Sequence, residues 1–426
     1  MSTTDTSLTI ETYSPQHPIR FLLAALIALG PFTMSLYTPS MPAIREAMAT
    51  SESLVQASIT VFLAAVALGQ LFYGPVSDRY GRRGVLFFGY ALFILASIGC
   101  ALATDISHLL IARVFQGLGA SAGAVMSRAI IRDLFDKSDI ARMLSFVSMA
   151  LAVAPAVGPL LGGQLETAFG WQSNFVVLAA GGSLLMLLVY VVLPETNRNV
   201  QKQSFLRSYG TLLGSRQFLG YAGPVGAVLG GIFSFHSVAP FILIDLLEVP
   251  PTRYGFFTLM SVSGYFFGAF ISNRAAGRVP GDRLIVTGLV LAALGGSGLL
   301  VLGWLESIEY LTLSPLLFMT PFILWAFSAG LVMPNGATGA LQPFPRIAGA
   351  ASALLGAIQI GSGAAMSLAI GAVGGFLPLT FGLATMALVV IGGGLYLWGV
   401  ACNPACNSFM QHLEPRDDQP PVSTIE

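Results

Sequence analysis

Long apolar runs separated by short polar stretches make up most of the chain. Twelve runs can be drawn, at about 20–40, 53–73, 84–104, 107–130, 140–163, 171–193, 217–243, 254–273, 283–304, 311–335, 348–372 and 377–400. Each approaches the 20 or so apolar residues that a helix needs to cross a bilayer. One polar segment, Pro194 to Arg216, divides runs six and seven. The pattern predicts an all-α membrane protein with twelve transmembrane helices in two six-helix bundles. The first bundle is expected over residues 1–193, a linker over 194–216, the second bundle over 217–400 and a polar, disordered tail over 401–426.

Composition agrees with that pattern. Of 426 residues, 55% are hydrophobic and only 9% charged, against about 25% charged in soluble domains. Net charge is zero, so the distribution of charge is more telling than its sum. With the N-terminus inside, of the 20 basic residues only Arg45, Arg113 and Arg253 fall outside the inner segments. That bias predicts cytoplasmic termini on both ends. Met1 to Pro18 has no basic leader and the first run feeds further spans, so no cleaved signal is expected. Cys100 reads as packing, and Cys402 and Cys406 are too sparse for a metal site.

The segment Gly74-Pro75-Val76-Ser77-Asp78-Arg79-Tyr80-Gly81-Arg82-Arg83 joins runs two and three. It is too polar for lipid, so it is expected as a tight hairpin, with Gly74 and Gly81 allowing the turn and close approach. It recurs as Ser272-Asn273-Arg274-Ala275-Ala276-Gly277-Arg278 between runs eight and nine, with one extra residue and Asn for Asp. A repeat in the same place in each half indicates duplication of a six-span unit around a midplane site. Run five holds Pro155, Gly158, Pro159, Gly162 and Gly163. Its prolines kink the helix and its glycines permit close contact. Run eleven is also rich in small residues.

These segments together resemble the major facilitator superfamily. The loop at 74–83 resembles its signature loop, and Arg113-Val114-Phe115-Gln116-Gly117-Leu118-Gly119-Ala120 its fourth-span motif. Run five, with Pro155, Gly158, Pro159, Gly162 and Gly163, resembles the antiporter motif of drug/proton exporters. Tyr37-Thr38-Pro39-Ser40-Met41-Pro42 and the stretch from Phe344 to Gly356 resemble the bicyclomycin/chloramphenicol-resistance branch. The resemblance implies a major facilitator fold and export of drug-like or amphipathic molecules by proton antiport with alternating access. It also implies a bacterial inner (plasma) membrane. The expected partners are a small-molecule substrate, protons and the lipid bilayer, with no nucleic acid and no cofactor, and the chain is expected to act as a monomer.

Arg113 is an arginine inside a span, which is costly unless paired or wetted. It either snorkels to the surface or lines a central cavity, with Gln116 on the same face. The branch usually carries an acid just before the tyrosine corresponding to Tyr37, and here Ser35 stands there. No Asp or Glu lies near the middle of any run; Asp105, Glu166 and Asp245 all lie near outer ends. His236 is the one histidine well inside a run, so it is a candidate proton acceptor, or else a simple packing histidine. The missing acid leaves open an uncoupled facilitator or organic-anion exchanger. Phe233 and Trp325 are candidate aromatic walls, and Asn335 and Gln359 either face the cavity or bridge helices.

Asp78, Arg79, Arg82 and Arg83, with Asp133 at the inner end of run four, are expected to form a conformational latch that favours an outward-open state. The bland alternative is a solvated hairpin. No phosphate loop, metal cluster or nucleophile–base set is present, which points away from an enzyme and from ATP as the driver.

Overall fold

A computed structural model describes residues 17–196, 205–373 and 378–401. Twelve helices are long and apolar enough to cross a membrane: Ile19–Ala47, Glu52–Tyr80, Arg82–Ala101, Ile106–Leu134, Arg142–Phe169, Gln172–Val192, Arg216–Leu246, Pro251–Ala275, Gly281–Ser307, Pro315–Leu341, Ala348–Val373 and Pro378–Val400. They are called spans one to twelve below. The end of the molecule at which span one begins and span twelve finishes is the termini side, and the other end the far side. Cys402, Cys406, Arg198, Lys202 and Arg416 lie outside the described residues.

Four of the spans start at a side-chain cap. Ser51, Ser215 and Ser314 each accept the backbone N–H three residues on, and Asp105 accepts from Ser107 and His108. Helix ends do not follow the loss of hydrophobicity. Span two continues through Pro75 to Tyr80 instead of breaking at Gly74. Spans four and ten likewise run on into polar sequence, to Leu134 and Leu341. Backbone bonds continue until a conformational stop is met. Here the stop is Gly81, at φ +88°, with Gly277 at φ +76° in the second copy of the loop. The expected hairpin is therefore one helix, a single left-handed glycine, and the next helix. Gly74 does not turn the chain, and a Cβ there would meet nothing within 4 Å.

Span one does not stop near Tyr37. A 3-10 turn, Thr38–Ser40, leads into a short helix, Met41–Ala47. Pro39 and Pro42 sit in the first turns of these two pieces, where no N–H is needed.

Two buried apolar clusters emerge. One draws almost wholly on residues 19–193, the other on residues 212–400. Along the seam between them, span two runs beside span eleven. Thr60 Oγ1 lies 2.8 Å from Ser367 Oγ, and Gln56 Nε2 donates to Ser367 O (3.2 Å) and Ser237 Oγ (3.3 Å). Spans five and eight meet on the far side of the seam. The short helix Phe205–Leu213, within the expected linker, straps across it through Tyr209, which donates to Leu71 O at 3.1 Å. Burial pushes the Tyr209 phenol up from its ordinary value, so it remains a neutral donor.

Candidate functional site

Among the described residues, Arg113 is one of the largest fully buried side chains, and it has no exposed surface. Its guanidinium carbon lies 4.3 Å from the Tyr37 ring centroid and 4.2 Å from that of Phe62, with Phe175 at 6.0 Å. Nη1 donates to Gln116 Oε1 at 2.5 Å, and Nε reaches Ser58 O at 3.4 Å. Gln116 Nε2 then donates to Ser97 Oγ at 2.8 Å, and Tyr37 OH pairs with Ser58 Oγ at 2.8 Å. Tyr37, Arg113 and Gln116 thus form one network, held by spans one to four. Aromatic faces and neutral dipoles stand in for a countercharge. Nη2 has no hydrogen-bond partner among the described groups. The guanidinium neither snorkels nor opens on the seam in this conformation, so the notion of an anion seated directly on it finds no support.

The other expected cavity residues do not gather around it. Ser35 is buried between spans one and five, where its hydroxyl lies 3.3 Å from Ala154 O. Trp325 is packed deep in the second cluster and donates Nε1 to Val228 O at 3.1 Å, so it is a core residue rather than a wall. Asn335 donates to Ser272 Oγ at 2.8 Å and to Leu331 O at 2.7 Å toward the termini side, so of the two expected alternatives it takes the bridge between helices, spans ten and eight. Phe233 packs on Gly363 of span eleven and against the first cluster, which puts it at the seam. Gln359 is half-buried on span eleven. His236 is buried on span seven, and its Nδ1 has no hydrogen-bond partner among the described groups. Beside it Ser237 accepts from Gln56 across the seam.

At the termini side, Arg82 is the hub. It donates Nη1 to Asp78 Oδ1 (2.6 Å) and to Ser77 Oγ, and Nε to Asp133 Oδ2 (3.2 Å). Glu195, which sequence reasoning missed, accepts the backbone N–H of Arg82 (2.8 Å) and of Arg83 (3.1 Å). A carboxylate there caps the start of span three and meets the positive end of its dipole. Arg83 donates to Tyr190 O at 2.7 Å. Arg79 is exposed, and its guanidinium lies over the Tyr80 ring (5.4 Å) rather than on Asp78. Apart from Glu195, at the start of the linker, these partners belong to the first half. The second copy of the loop has a neutral contact in place of the acid–arginine pairs: Asn335 Nδ2 donates to Ser272 Oγ, the serine that matches Ser77.

Gly81 carries the strictest local demand, because its φ is left-handed and a Cβ would press on the Glu195 carboxylate, 2.8 Å from Cδ. Gly81→Ala is expected to cost about 1–2 kcal/mol. Gly74→Ala should instead stabilise by about 0.5–1 kcal/mol, as an alanine inside a helix does. Thermal unfolding of the two variants in one detergent compares them.

The span-five glycines divide their work. Gly158 and Gly162 lie against Ser35 and Leu36 of span one, within the first half. Gly163 lies against the backbone of Pro251 and Thr252 at the start of span eight, and Gly255 of span eight lies against Leu160. The far-side ends of the two halves therefore touch backbone to backbone. An ion pair crosses the same end: Arg45 Nη1 binds Glu52 Oε1 at 2.7 Å and Asp245 Oδ2 at 2.8 Å. Sequence reasoning does not single out this cluster, because Arg45 and its partner Asp245 are 200 residues apart.

A family model described as Major Facilitator Superfamily matches residues 23–367. The chain is 35% identical over 361 residues to an uncharacterized MFS-type transporter, YdgK, of Bacillus subtilis, covering 83% of this chain and 88% of that one. It is 30% identical over 352 residues to multidrug resistance protein D of Escherichia coli, covering 82% and 87%. Among solved structures, a bacterial homologue of the human lysosomal transporter Spinster, inward-facing and unoccupied, superposes with a TM-score of 0.69. That pair shares 18% identity over 92% of this chain and 98% of the other, which speaks to the fold alone.

Proposed function

The chain belongs to the major facilitator superfamily, and from that premise we propose that it exports drug-like or amphipathic small molecules in exchange for protons. It is a multi-pass membrane transporter and not an enzyme. The termini side is assigned to the cytoplasm of a bacterial inner membrane, in line with the basic residues gathered there. The two units are taken as residues 1–193 and 217–400, joined by 194–216.

One observation carries this reading. Two separately packed clusters are joined at the far side by contacts that can be broken without unfolding either one: glycine-to-backbone contacts and an exposed-edge ion pair. Rocking about such a seam alternately opens a midplane site to each face. The Arg82 hub, satisfied within its own half, stiffens the cytoplasmic end of that half as a unit. The kinship with a multidrug resistance protein supports drug-like cargo.

His236 is the proposed proton carrier. It is the one imidazole well inside a span, since His108 sits in the first turn of span four, and its free Nδ1 gives a proton a place to bind. Export of charged and neutral amphipathic dyes from everted vesicles with an imposed pH gradient tests the reading. Export should collapse when the gradient is dissipated, and His236→Gln should lose at least about tenfold of the gradient-driven rate. Export indifferent to the gradient would favour the uncoupled facilitator that the absent mid-span carboxylate suggests. Full gradient-driven export in His236→Gln would remove that residue from the pathway.

A further inference from the structure

The far-side ion pair has the composition of a switch rather than of a clasp. Arg45, on the short helix that ends span one, holds two carboxylates with a single nitrogen: Glu52 of its own half at 2.7 Å and Asp245 of the other half at 2.8 Å. A third acid, Glu46, lies 3.8 Å from Nη2. Among the described residues, this is the one salt bridge that joins the two halves. Asp245 itself sits in a π-helical turn, Phe241–Leu246, at the far end of span seven. Such wide turns are rare and concentrate where a helix does a job. The charged groups that act on it are Arg45, Glu52 and Glu46; along the chain Glu248 follows three residues on and Arg253 lies at the start of span eight, and Glu166 at the end of span five adjoins Glu46.

Three acids around one base leave an excess of negative charge, and like charges in one site favour uptake of a proton by one of them. The side chains of Arg45 and Asp245 are about a quarter exposed, at 25% and 26%, so water reaches the bridge. Protonation of Asp245 removes its pull on Arg45. The guanidinium is not stranded, because Glu52 remains on the same nitrogen. Release of the second half therefore costs one hydrogen bond rather than a bare cation. A bridge with a single acid would lack that escape.

We infer that Asp245 is the proton-loading residue of the far-side gate: a proton from outside water binds its carboxylate, Arg45 withdraws to Glu52, and the two halves part at that end. The inference rests on the proton-exchange reading above and adds to it the point at which protons are first taken up. His236 lies nine residues back along the same helix, about 13 Å deeper. Gate and carrier are thus separate groups.

The test needs no transport. Spin labels are attached through Ala47→Cys and Ile308→Cys, both on far-side connections of opposite halves, with Cys402 and Cys406 replaced by Ser in the full chain. Pulsed distance measurements then run from pH 8 to pH 5. The unaltered bridge should give a growing long-distance population as pH falls. Asp245→Asn should show the long population at every pH, and Asp245→Glu should keep the pH response. Glu52→Gln should move the midpoint about one unit lower, because a like charge next to Asp245 has gone. An unchanged pH response in Asp245→Asn, or none with the bridge intact, overturns the inference. A normal gate response in a protein whose export ignores the pH gradient would sink the exchange reading and leave the gate standing.

Discussion

Arg113→Met is expected to lower export at least tenfold, about 1.4 kcal/mol of barrier, while changing thermal stability by only a few degrees. The two effects separate because the terms holding Arg113 nearly cancel. Burying a guanidinium costs several kcal/mol. Two desolvated ring contacts offset about 2 kcal/mol each, and the bond to Gln116 a further 1.5–3 kcal/mol or so. Methionine fills most of the space without the charge. What it cannot do is tie Gln116, Ser58 and Tyr37 into one rigid set across spans one to four. Arg113→Lys should not rescue, since an ammonium has no flat face for Tyr37 and Phe62. Export in everted vesicles and unfolding in detergent are the measurements. Export within twofold of the unaltered protein would remove Arg113 from the site.

Two neighbouring glycines should separate in the opposite sense. At Gly162 a Cβ would run into Leu36, 2.8 Å from its carbonyl carbon, inside the first half. Gly162→Ala should therefore destabilise that half by about 1–3 kcal/mol, as overpacking does. At Gly163 a Cβ would meet Pro251, 2.8 Å from its carbonyl carbon, and Thr252 Cα at 3.3 Å, both across the seam. Backbone cannot rotate away, but whole halves can move apart. Gly163→Ala should leave the unfolding temperature nearly unchanged, hold the far side open and cut export at least about tenfold. Distance measurements across that end, together with unfolding curves, decide the matter. Equal losses of stability in the two variants would show that both glycines serve packing alone.

Span number and family were legible because they are written in local sequence: run length, repeat and charge bias need no third dimension. Helix ends were less so. The second span reads as ending at Gly74, yet hydrogen bonding carries it to the first left-handed glycine, Gly81. Of the site, sequence led from the arginine cluster to Asp133, and the structure sets it 3.2 Å from Arg82. Glu195 and the Arg45–Asp245 pair escaped notice because nothing local marks them; both are contacts over more than 100 residues. Residue type offers Trp325 as a wall and leaves Asn335 open between cavity and helix bridge, because it does not say on which face of a helix a side chain lies; Trp325 is core and Asn335 bridges spans eight and ten.

The second copy of the signature loop keeps its arginines but not the acid, so the two matching turns differ in charge. Asp78, Asp133 and Glu195 occupy Arg82 and the turn around it. In the second half Arg274, Arg278 and Arg283 are exposed, and among the described residues none of them joins an ion pair. Each such arginine gains about 1 kcal/mol beside anionic phospholipid. A leaflet rich in such headgroups can therefore bind this turn of the second bundle directly, whereas at the matching turn of the first bundle Arg82 is already taken by acids of the chain itself.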